Sequence, residues 1–351
     1  MTGTSHLTEA DIDEFGRELD KIREEVLGDL GDRDARYIRG VIAAQRMLEL
    51  GGRVVLLAGW LPPAWIAGTA ALSAAKILEN MEIGHNVLHG QWDWMRDPEI
   101  HSTTWEWDIV CPAEMWKHSH NFVHHTWTNV LGKDRDIGYS ALRVTPEQDW
   151  HPLHLAQPFY NVLLALFFEY GIAIYDLELE RVPSGEKSPA EILPQLRMLA
   201  RKARRQAVKD YVAFPLLAGP AFLPALLANL TANTTRNVWA HAIIFCGHFP
   251  DGAEYFTEDR LDGETRGEWY LRQLLGSCNI DGGRLFHIMS GNLGHQIEHH
   301  LFPDLPSNRY AEIAPRVRAL CDRYGLAYTS GSLTRQVGSV WKRVLRLALP
   351  G

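Results

Sequence analysis

The chain has 351 residues, a hydrophobic fraction of 46% and a formal charge of -8, which allows a large core or a membrane domain with attached parts. This charge provides no basic surface for nucleic acid, so we predict no nucleic-acid partner. The four cysteines are scattered without a Cys-x-x-Cys pair, which argues against an iron–sulfur site and a disulfide framework. The polar N-terminus has no apolar run after Met1, so we predict no signal peptide.

The N-terminal region, residues 1–45, mixes acidic and basic side chains at helical spacing. Thr8 followed by Asp11 is typical of a helix N-cap with an acidic first turn. We therefore predict a cytosolic helical region here, with its charged side chains in solvent.

Two long apolar stretches predict membrane hairpins. Residues 54–75 contain no charged side chain, which is long enough for one span, but Pro62 and Pro63 interrupt the stretch. Residues 212–235 are also free of charge, and an apolar segment follows at 238–249. We predict four spans in two hairpins, at about 47–61, 64–84, 211–231 and 236–249.

Basic residues precede both predicted hairpins, at 39–53 and 197–209. By the positive-inside rule, both hairpins then enter from the cytoplasm and return to it. The predicted fold is an all-α, membrane-embedded helical bundle with a cytosolic helical cap, in an integral membrane protein. Residues 311–351 are predicted to form a cytosolic tail, whose residues 341–347 are basic and amphipathic.

Three histidine clusters stand out from the rest of the sequence. A neutral imidazole is the commonest side-chain metal ligand, and i,i+4 spacing places two residues on one helical face. Three pairs have this spacing: His85/His89, His120/His124 and His295/His299. His125 and His300 directly follow two of the pairs. We predict that most of these imidazoles meet at one metal site on the cytoplasmic side.

The clusters hold more imidazoles than one metal ion can use, because even structural zinc takes only four ligands. The His-Glu-x-x-His motif of zinc proteases is absent. All-nitrogen ligation suits iron, copper or zinc rather than magnesium or calcium. Two redox metals beside an apolar helical bundle indicate oxygen activation against an unactivated C–H bond, because such a bond offers no polar group for acid–base chemistry.

The spacing within the clusters resembles the three histidine boxes of the membrane fatty acid desaturases. The boxes are matched by His85-x3-His89, by His120-x3-His124-His125 and by Gln296-x2-His299-His300, which continues as Leu-Phe-Pro. The stretch around Lys117-His118-Ser119-His120 resembles that of actinobacterial acyl-CoA desaturases. The resemblance implies a desaturase domain at residues 46–310.

This resemblance implies two non-heme iron ions as the cofactor. The ligands that we predict are His85, His89, His120, His124, His125, His241, His295, His299 and His300. His241 is included because stearoyl-CoA desaturases carry an Asn-x3-His motif, whose asparagine, here Asn237, holds a metal-bound water. Three choices stay open: His118 against His120, His248 against His241, and Gln296 against His295.

Polar residues near the clusters are candidates for orienting the ligands, because a metal-bound imidazole normally donates its other N–H to a carboxylate or carbonyl. The candidates are Gln296, Glu298, Asp93, Asp108 and Asp134, with Glu106 and Asp136 also near in sequence. The remaining histidines are predicted to be structural or surface residues: His6, His101, His151, His154 and His287.

The resemblance also implies the reaction and its partners. A desaturase uses O2 and two electrons to remove two hydrogens from adjacent methylenes of a long-chain acyl-CoA or acyl-lipid, leaving a cis double bond. The chain has no His-Pro-Gly-Gly heme motif, so the electrons are expected from a separate NAD(P)H-dependent ferredoxin or oxidoreductase. Membrane lipid is the other partner expected.

Two alternative functions remain at this stage. A di-iron membrane hydroxylase acting on an alkyl or lipid chain would use the same histidine pattern, and product mass would distinguish it from a desaturase. A membrane metal transporter would place polar ligands within its spans. The clusters here lie at predicted span ends, which argues against transport.

Overall fold

A computed structural model describes residues 4–350 of the chain, which are mainly helical. The α-helices are α1 (Glu9–Gly28), α2 (Asp32–Val55), α3 (Pro62–Leu78), α4 (Asn86–Leu88), α5 (Ala113–Trp116), α6 (His125–Trp127), α7 (Gln157–Leu166), α8 (Phe168–Tyr175), α9 (Pro189–Val208), α10 (Phe214–Leu217), α11 (Phe222–His248), α12 (Arg266–Leu275), α13 (Arg284–Met289), α14 (Gln296–Leu301), α15 (Tyr310–Tyr324) and α16 (Leu333–Leu347). Two short strands, β1 (Asn279–Asp281) and β2 (Ser330–Ser332), complete the fold.

Capping residues explain where the long polar helices begin. Thr8 accepts a hydrogen bond from the Asp11 amide at the start of α1, and the Asp11 carboxylate accepts one from the Thr8 amide. Ser188 and Thr265 cap α9 and α12 in the same reciprocal manner. These boxes satisfy amide groups that the first helical turn leaves without a partner. The N-cap predicted at Thr8 is confirmed.

The predicted membrane bundle is wrong, although the mainly helical character of the chain is confirmed. Across residues 4–350, no helix combines the length and the apolar character that crossing a membrane requires. The predicted span at 47–61 falls partly on α2, which carries Glu49 and Arg53, and α3 has only 17 residues. α11 has 27 residues, but Arg236 lies in its middle. The four spans and the integral membrane localisation are therefore corrected.

The two largest buried apolar clusters join most of the long helices. The first joins the end of α3, α8, α11 and α16 through side chains such as Phe168, Phe245 and Val340. The second joins α1, α12, α14 and α15 through side chains such as Phe15 and Leu301. The second cluster therefore packs α1 and α15 against α14, the helix that carries His299 and His300. The predicted division of the chain into an N-terminal region (1–45), a desaturase domain (46–310) and a C-terminal tail (311–351) stays a prediction.

π-helical segments carry His85 of the first histidine cluster and His120 and His124 of the second, whereas His89 and His125 follow these segments. α3 continues into the π-helical segment Glu79–His85, and α5 continues into Lys117–His124. In a π-helix the hydrogen bonds run from i to i+5, and such segments occur mostly at functional sites. The side chains there are consequently redirected relative to the regular i,i+4 face.

The parallel pairing of β1 with β2 fixes the C-terminal part of the chain beside the third cluster. Asn279 lies opposite Ser330, and Asp281 lies opposite Ser332. The Asn279 side chain accepts a hydrogen bond from the Ile297 amide at 2.8 Å, inside α14. The strand β2 therefore supports, through β1, the helix that carries His299 and His300.

Candidate metal centre

The structure gathers seven histidines into two adjacent groups. One group contains His85, His89, His120 and His299, and the other contains His124, His248 and His300. Within each group the ligand nitrogens lie within 4.8 Å of one another. Four separate parts of the chain contribute: the three histidine clusters and the C-terminal end of α11.

His125 lies between the two groups. Its ring centroid is 4.8 Å from that of His299 in the first group and 4.4 Å from that of His300 in the second. Neither ring nitrogen of His125 has a hydrogen-bond partner, and both are buried. His125 can therefore serve either group.

The nitrogens of this cluster fit a metal site. The Nε2 atoms of five of its histidines are buried without a hydrogen-bond partner: those of His89, His120, His124, His125 and His299. A buried polar atom without a partner is costly, and several that converge at one place are rare in folded proteins. Metal ions resolve this cost, because each nitrogen lone pair becomes a ligand.

Burial keeps most of these imidazoles neutral, which is the form that binds metal. It lowers the pKa of His85 to about 4 and holds the pKa values of His89 and His299 well below the ordinary value. His124 is the exception. Burial opposes its charged form, but the nearby carboxylates of Asp134 and Asp136 outweigh that effect and raise its pKa.

Two carboxylates orient the histidines of the second box. His124 Nδ1 lies 3.0 and 3.1 Å from the two carboxylate oxygens of Asp134. His120 Nδ1 lies 3.4 Å from Asp136 Oδ2, and the Tyr175 hydroxyl donates to Asp136 Oδ1. Such partners fix the tautomer, so that Nε2 is the nitrogen left for the metal.

Neutral groups orient histidines of the other boxes. His300 Nδ1 lies 3.0 Å from Gln273 Oε1, and His299 Nδ1 lies 3.2 Å from the Tyr310 hydroxyl. His85 Nδ1 lies 3.1 Å from Asn86 Oδ1. Gln273, Tyr310 and Asn86 were not among the candidates from the sequence. Gln273 and Tyr310 are distant from the boxes they support, so no local signal could have found them.

Comparison with known proteins decides the family. The family model for fatty acid desaturases matches residues 58–332. The chain is 53% identical to an NADPH-dependent stearoyl-CoA 9-desaturase of Mycobacterium tuberculosis, over 99% of this chain and 82% of the relative. It is 27% identical to an sn-1 linoleoyl-lipid 6-desaturase of Synechocystis sp., over 85% of this chain and 84% of the relative.

This chain belongs to the fatty acid desaturase family. A more distant relative, human fatty acid desaturase 3, is 25% identical over 83% of this chain and 63% of the relative. The family predicted from the histidine boxes is confirmed, and with it the prediction of an oxidoreductase that desaturates fatty acyl chains.

His248, not His241, is the histidine of α11 that lies in the histidine groups. His248 Nε2 lies 3.2 Å from His300 Nε2. His241 lies outside both groups, where its Nε2 is 2.9 Å from Asn161 Oδ1 and its ring stacks on Phe245. Asn237 is also separate from the histidine groups, because its amide donates to the Leu166 carbonyl.

His295 and Gln296 are likewise placed by the fold rather than by their spacing. His295 stacks on His287, with ring centroids 4.1 Å apart, and lies outside both groups. Gln296 Nε2 lies 2.9 Å from His248 Nε2, so Gln296 is the member of this pair that faces the centre. His118 is exposed and stacks on Phe122, which leaves His120 as the inward residue of the second box.

Three of the predicted orienting carboxylates have other partners. Asp93 accepts hydrogen bonds from Ser102, and Asp108 pairs with Lys209. Glu298 is buried and accepts hydrogen bonds from Asn279 and Tyr328, 2.9 and 2.8 Å away. Of the predicted carboxylates, Asp134 is the one that contacts a clustered histidine, together with Asp136, which the sequence also indicated.

An apolar cavity leads away from the centre. His120, His124 and His248 line one part of it, together with Gln296. Elsewhere its walls include the apolar and aromatic side chains of Met81, Trp107, Ile109, Trp116, Tyr139, Phe168, Ile172, Ala240, Ile244 and Leu293, together with the polar side chains of Asn80, Ser119, Asp136, Glu169, Tyr175, Asp176 and Asn237. The apolar part of these walls suits a hydrocarbon chain.

Proposed function

We propose that this desaturase introduces a cis double bond into a long-chain acyl-CoA at two iron ions, with O2 as oxidant and electrons from a separate NADPH-dependent protein. The balanced reaction takes one O2, two electrons and two protons, removes two hydrogens from adjacent methylenes, and releases two waters. The observation that carries this proposal is the paired histidine groups beside an apolar cavity.

The two histidine groups correspond to two metal ions in this proposal. His85, His89, His120 and His299 would hold one ion, His124, His248 and His300 would hold the other, and His125 lies within reach of both. Bound iron supplies the oxidising power that an unactivated methylene requires. Asp134, Asp136, Gln273 and Tyr310 keep the imidazoles oriented.

In this proposal the cavity positions the acyl chain and keeps water away from the histidine groups. Its apolar walls exclude water from the histidine groups and hold an acyl chain by burying its methylenes, at roughly 0.8 kcal/mol for each buried methylene. Ile172 and Ala240 lie on facing helices, α8 and α11, so that the chain is confined between them. A confined chain presents the same methylenes to the centre in each turnover.

A basic groove next to the cavity supports CoA as the carrier of the acyl chain. Arg201, Arg204 and Arg205 of α9 line this groove, and Trp107 lines both the groove and the cavity. Guanidinium groups bind phosphate oxygens well. A phosphate-rich carrier such as CoA in the groove would leave its acyl chain close to Trp107 and the cavity. The name of the mycobacterial relative makes stearoyl-CoA, desaturated at carbon 9, the first substrate to test.

The test measures metal and product on the same protein. Iron-grown protein is analysed for metal, then supplied with stearoyl-CoA, O2 and an NADPH-dependent electron donor. We expect about two irons per chain and a product two mass units lighter than the substrate. One tightly held zinc without iron would contradict the proposal, and a product sixteen units heavier would indicate a hydroxylase.

Matched histidine variants test the ligand assignment. His248→Ala removes a group that converges on His300, so we expect roughly half of the iron to be lost together with turnover. His241→Ala lies on the same helix outside both groups, so we expect the iron content to be retained. Full iron in His248→Ala, or loss of iron in His241→Ala alone, would reverse the assignment.

A further inference from the structure

His125 lacks the side-chain partner that orients its neighbours in the cluster. The Nδ1 atoms of five clustered histidines lie beside a carboxylate, an amide or a hydroxyl: those of His85, His120, His124, His299 and His300. Both ring nitrogens of His125 are instead buried without a hydrogen-bond partner. Its ring nevertheless lies between the two histidine groups, where its orientation decides which metal it can reach. The position of this ring therefore depends on how its backbone is held.

Two adjacent side chains of α12 bind carbonyl groups of the segment that contains His125. Gln273 Nε2 donates to the His125 carbonyl at 3.2 Å. Arg272 Nη2 donates to the Thr126 carbonyl at 3.0 Å, and Arg272 Nη1 donates to the Thr128 carbonyl at 3.4 Å. These carbonyls lie at the C-terminal end of α6, where a helix leaves its last four carbonyl groups without partners of its own. Side chains of α12 supply the missing donors.

Thr128 connects the same segment to the third histidine box. Its hydroxyl lies 2.8 Å from the His124 carbonyl oxygen and 2.8 Å from Gln273 Oε1. Gln273 Oε1 is also 3.0 Å from His300 Nδ1. The Gln273 amide therefore contacts the second box through its backbone and the third box through a ring nitrogen.

Arg272 is held in place by an ion pair with Glu264. The two side chains are only 1% and 14% exposed. The Glu264 carboxylate accepts hydrogen bonds from Arg272 Nε at 2.6 Å and from Arg272 Nη2 at 2.8 Å. A guanidinium bound through two nitrogens by one carboxylate has a fixed plane, which sets the direction of its remaining N–H bonds. The pair thus directs Arg272 towards the end of α6.

α12 is itself held by contacts with α1. The Tyr270 hydroxyl donates to Asp20 Oδ1 at 2.6 Å. A Cβ at Gly267 would lie 2.3 Å from the Ile12 carbonyl oxygen, so the two helices cross in close contact. These contacts hold the helix that carries Arg272 and involve none of the clustered histidines.

We propose that Arg272 is a positioning residue for His125, which it holds through the backbone carbonyls of Thr126 and Thr128. The proposal rests on the two-metal function proposed above. The hydrogen bonds of Arg272 go to these carbonyls and to Glu264 rather than to a histidine ring. Its effect on the metals therefore passes through the segment that carries His125. Loss of the two carbonyl contacts would let this segment move and would weaken metal binding by His125.

Arg272→Lys tests this role, because lysine keeps the charge opposite Glu264 but lacks the rigid fork that reaches two carbonyls. Fe²⁺ affinity is measured without O2, by competition with a chelator, in the wild type and in a His125→Ala background. The seven histidines of the two groups remain in this background. We expect Arg272→Lys to lower the affinity about 10- to 100-fold in the wild type, with little further loss once His125 is absent. A general loss of structure would lower the affinity in both backgrounds.

Arg143→Lys is the matched control. Arg143 is also a buried arginine, 6% exposed, and its guanidinium donates to the carbonyls of Gln148, Pro146 and Leu349. It lies outside the histidine groups and the cavity lining, so we expect Arg143→Lys to bind Fe²⁺ as the wild type does. Equal losses for Arg272→Lys in the two backgrounds, or full affinity in a folded Arg272→Lys protein, would overturn the proposal.

A second variant keeps the test decisive if Arg272→Lys does not fold. In Glu264→Gln, the neutral amide no longer fixes the guanidinium through two charged contacts, so we expect about a tenfold loss of Fe²⁺ affinity that is again absent in His125→Ala. Unchanged affinity in Glu264→Gln would then overturn the proposal. A wild-type protein that binds no iron would instead refute the function proposed above, so the two failures are distinguishable.

Discussion

Asp134 holds His124 through both of its carboxylate oxygens, 3.0 and 3.1 Å from His124 Nδ1. Asp134→Asn would keep the shape but lose the charge that favours Nδ1–H, so we expect metal affinity to fall about 10- to 100-fold. Iron or zinc affinity is measured by competition with a chelator. Asp93→Asn is the control, because Asp93 contacts Ser102 rather than the histidine groups. Equal affinities in the two variants would contradict this role.

Glu82 is a fully buried carboxyl that accepts hydrogen bonds from Tyr37, Ser307 and Asn292. Burial outweighs these bonds and raises its pKa to about 8, from an ordinary value of 4.5. The folded state therefore binds its proton more tightly than the unfolded state does. The stability from this group is fully present below about pH 4.5, and it is lost as pH rises towards about 8.

Glu82→Gln tests this pH dependence, because the amide does not titrate. We expect the free energy of unfolding of the iron-free wild type to fall more steeply between about pH 5 and pH 8 than that of the variant. Urea unfolding across this range measures both slopes. Glu114→Gln, at an exposed position, should retain the wild-type slope. Parallel curves for wild type and Glu82→Gln would show that Glu82 does not titrate in this range.

Among the secondary-structure elements, the π-helical segment Glu79–His85 depends on a glycine. A Cβ at Gly84 would lie 2.9 Å from the Cβ of Trp107 and 2.9 Å from the Glu79 carbonyl oxygen. Gly84→Ala should therefore lower the free energy of unfolding by about 1–3 kcal/mol, measured by urea unfolding. Gly40→Ala is the control in α2, since a Cβ there meets nothing within 4 Å. A Gly84→Ala protein as stable as wild type would contradict the close packing.

The basic groove along α9 is the proposed binding site of CoA, and a charge reversal there tests this proposal. Arg204→Glu/Arg205→Glu reverses the charge in the groove beside Trp107, so we expect CoA affinity to fall at least tenfold, by about 1.4 kcal/mol or more. Arg197→Glu lies on the same helix outside the groove lining and should bind CoA as the wild type does. Calorimetric titration with CoA, and separately with phosphatidic acid vesicles, shows which phosphate source the groove prefers. Equal CoA affinity in both variants would exclude this groove.

In the whole molecule, helices far apart in sequence support the third histidine box. α1 and α15 enclose α12 and α14 in one buried cluster. Arg309, directly before α15, links α15 to the end of α1 through Asp29 and to the start of α2 through the fully buried Asp34. The residues outside the histidine clusters are therefore part of the structure that positions His299 and His300.

Much of the histidine cluster could be predicted from the sequence, because the boxes are local patterns. His85, His89, His120, His124, His125, His299 and His300 all lie in the cluster. His241 and His248 are seven residues apart on α11, almost two full turns, so helical spacing alone could not separate them. His295 has the correct i,i+4 spacing to His299, but it is the last residue of a short 3₁₀ turn that precedes α14.

The predicted membrane spans failed for a related reason. Charge-free runs such as 54–75 contain the break before Pro62, and the observed helices extend into charged sequence at α2 and α11. A run of apolar residues in the sequence can include residues that belong to different helices in the fold, so it does not predict the length of a single helix. The N-cap predicted at Thr8 involves only neighbouring residues, and it coincides with the start of α1.

The amino-acid sequence by itself determined the family and most of the histidines that lie together, because these depend on residue type and on spacing within a few residues. The tertiary structure decided that His248 joins the centre, that Gln273 and Tyr310 orient its imidazoles, and that Glu169 meets Arg236. These contacts join residues from 11 to 124 positions apart. Only the packing of the whole chain brings such residues together, since no local pattern specifies their distance.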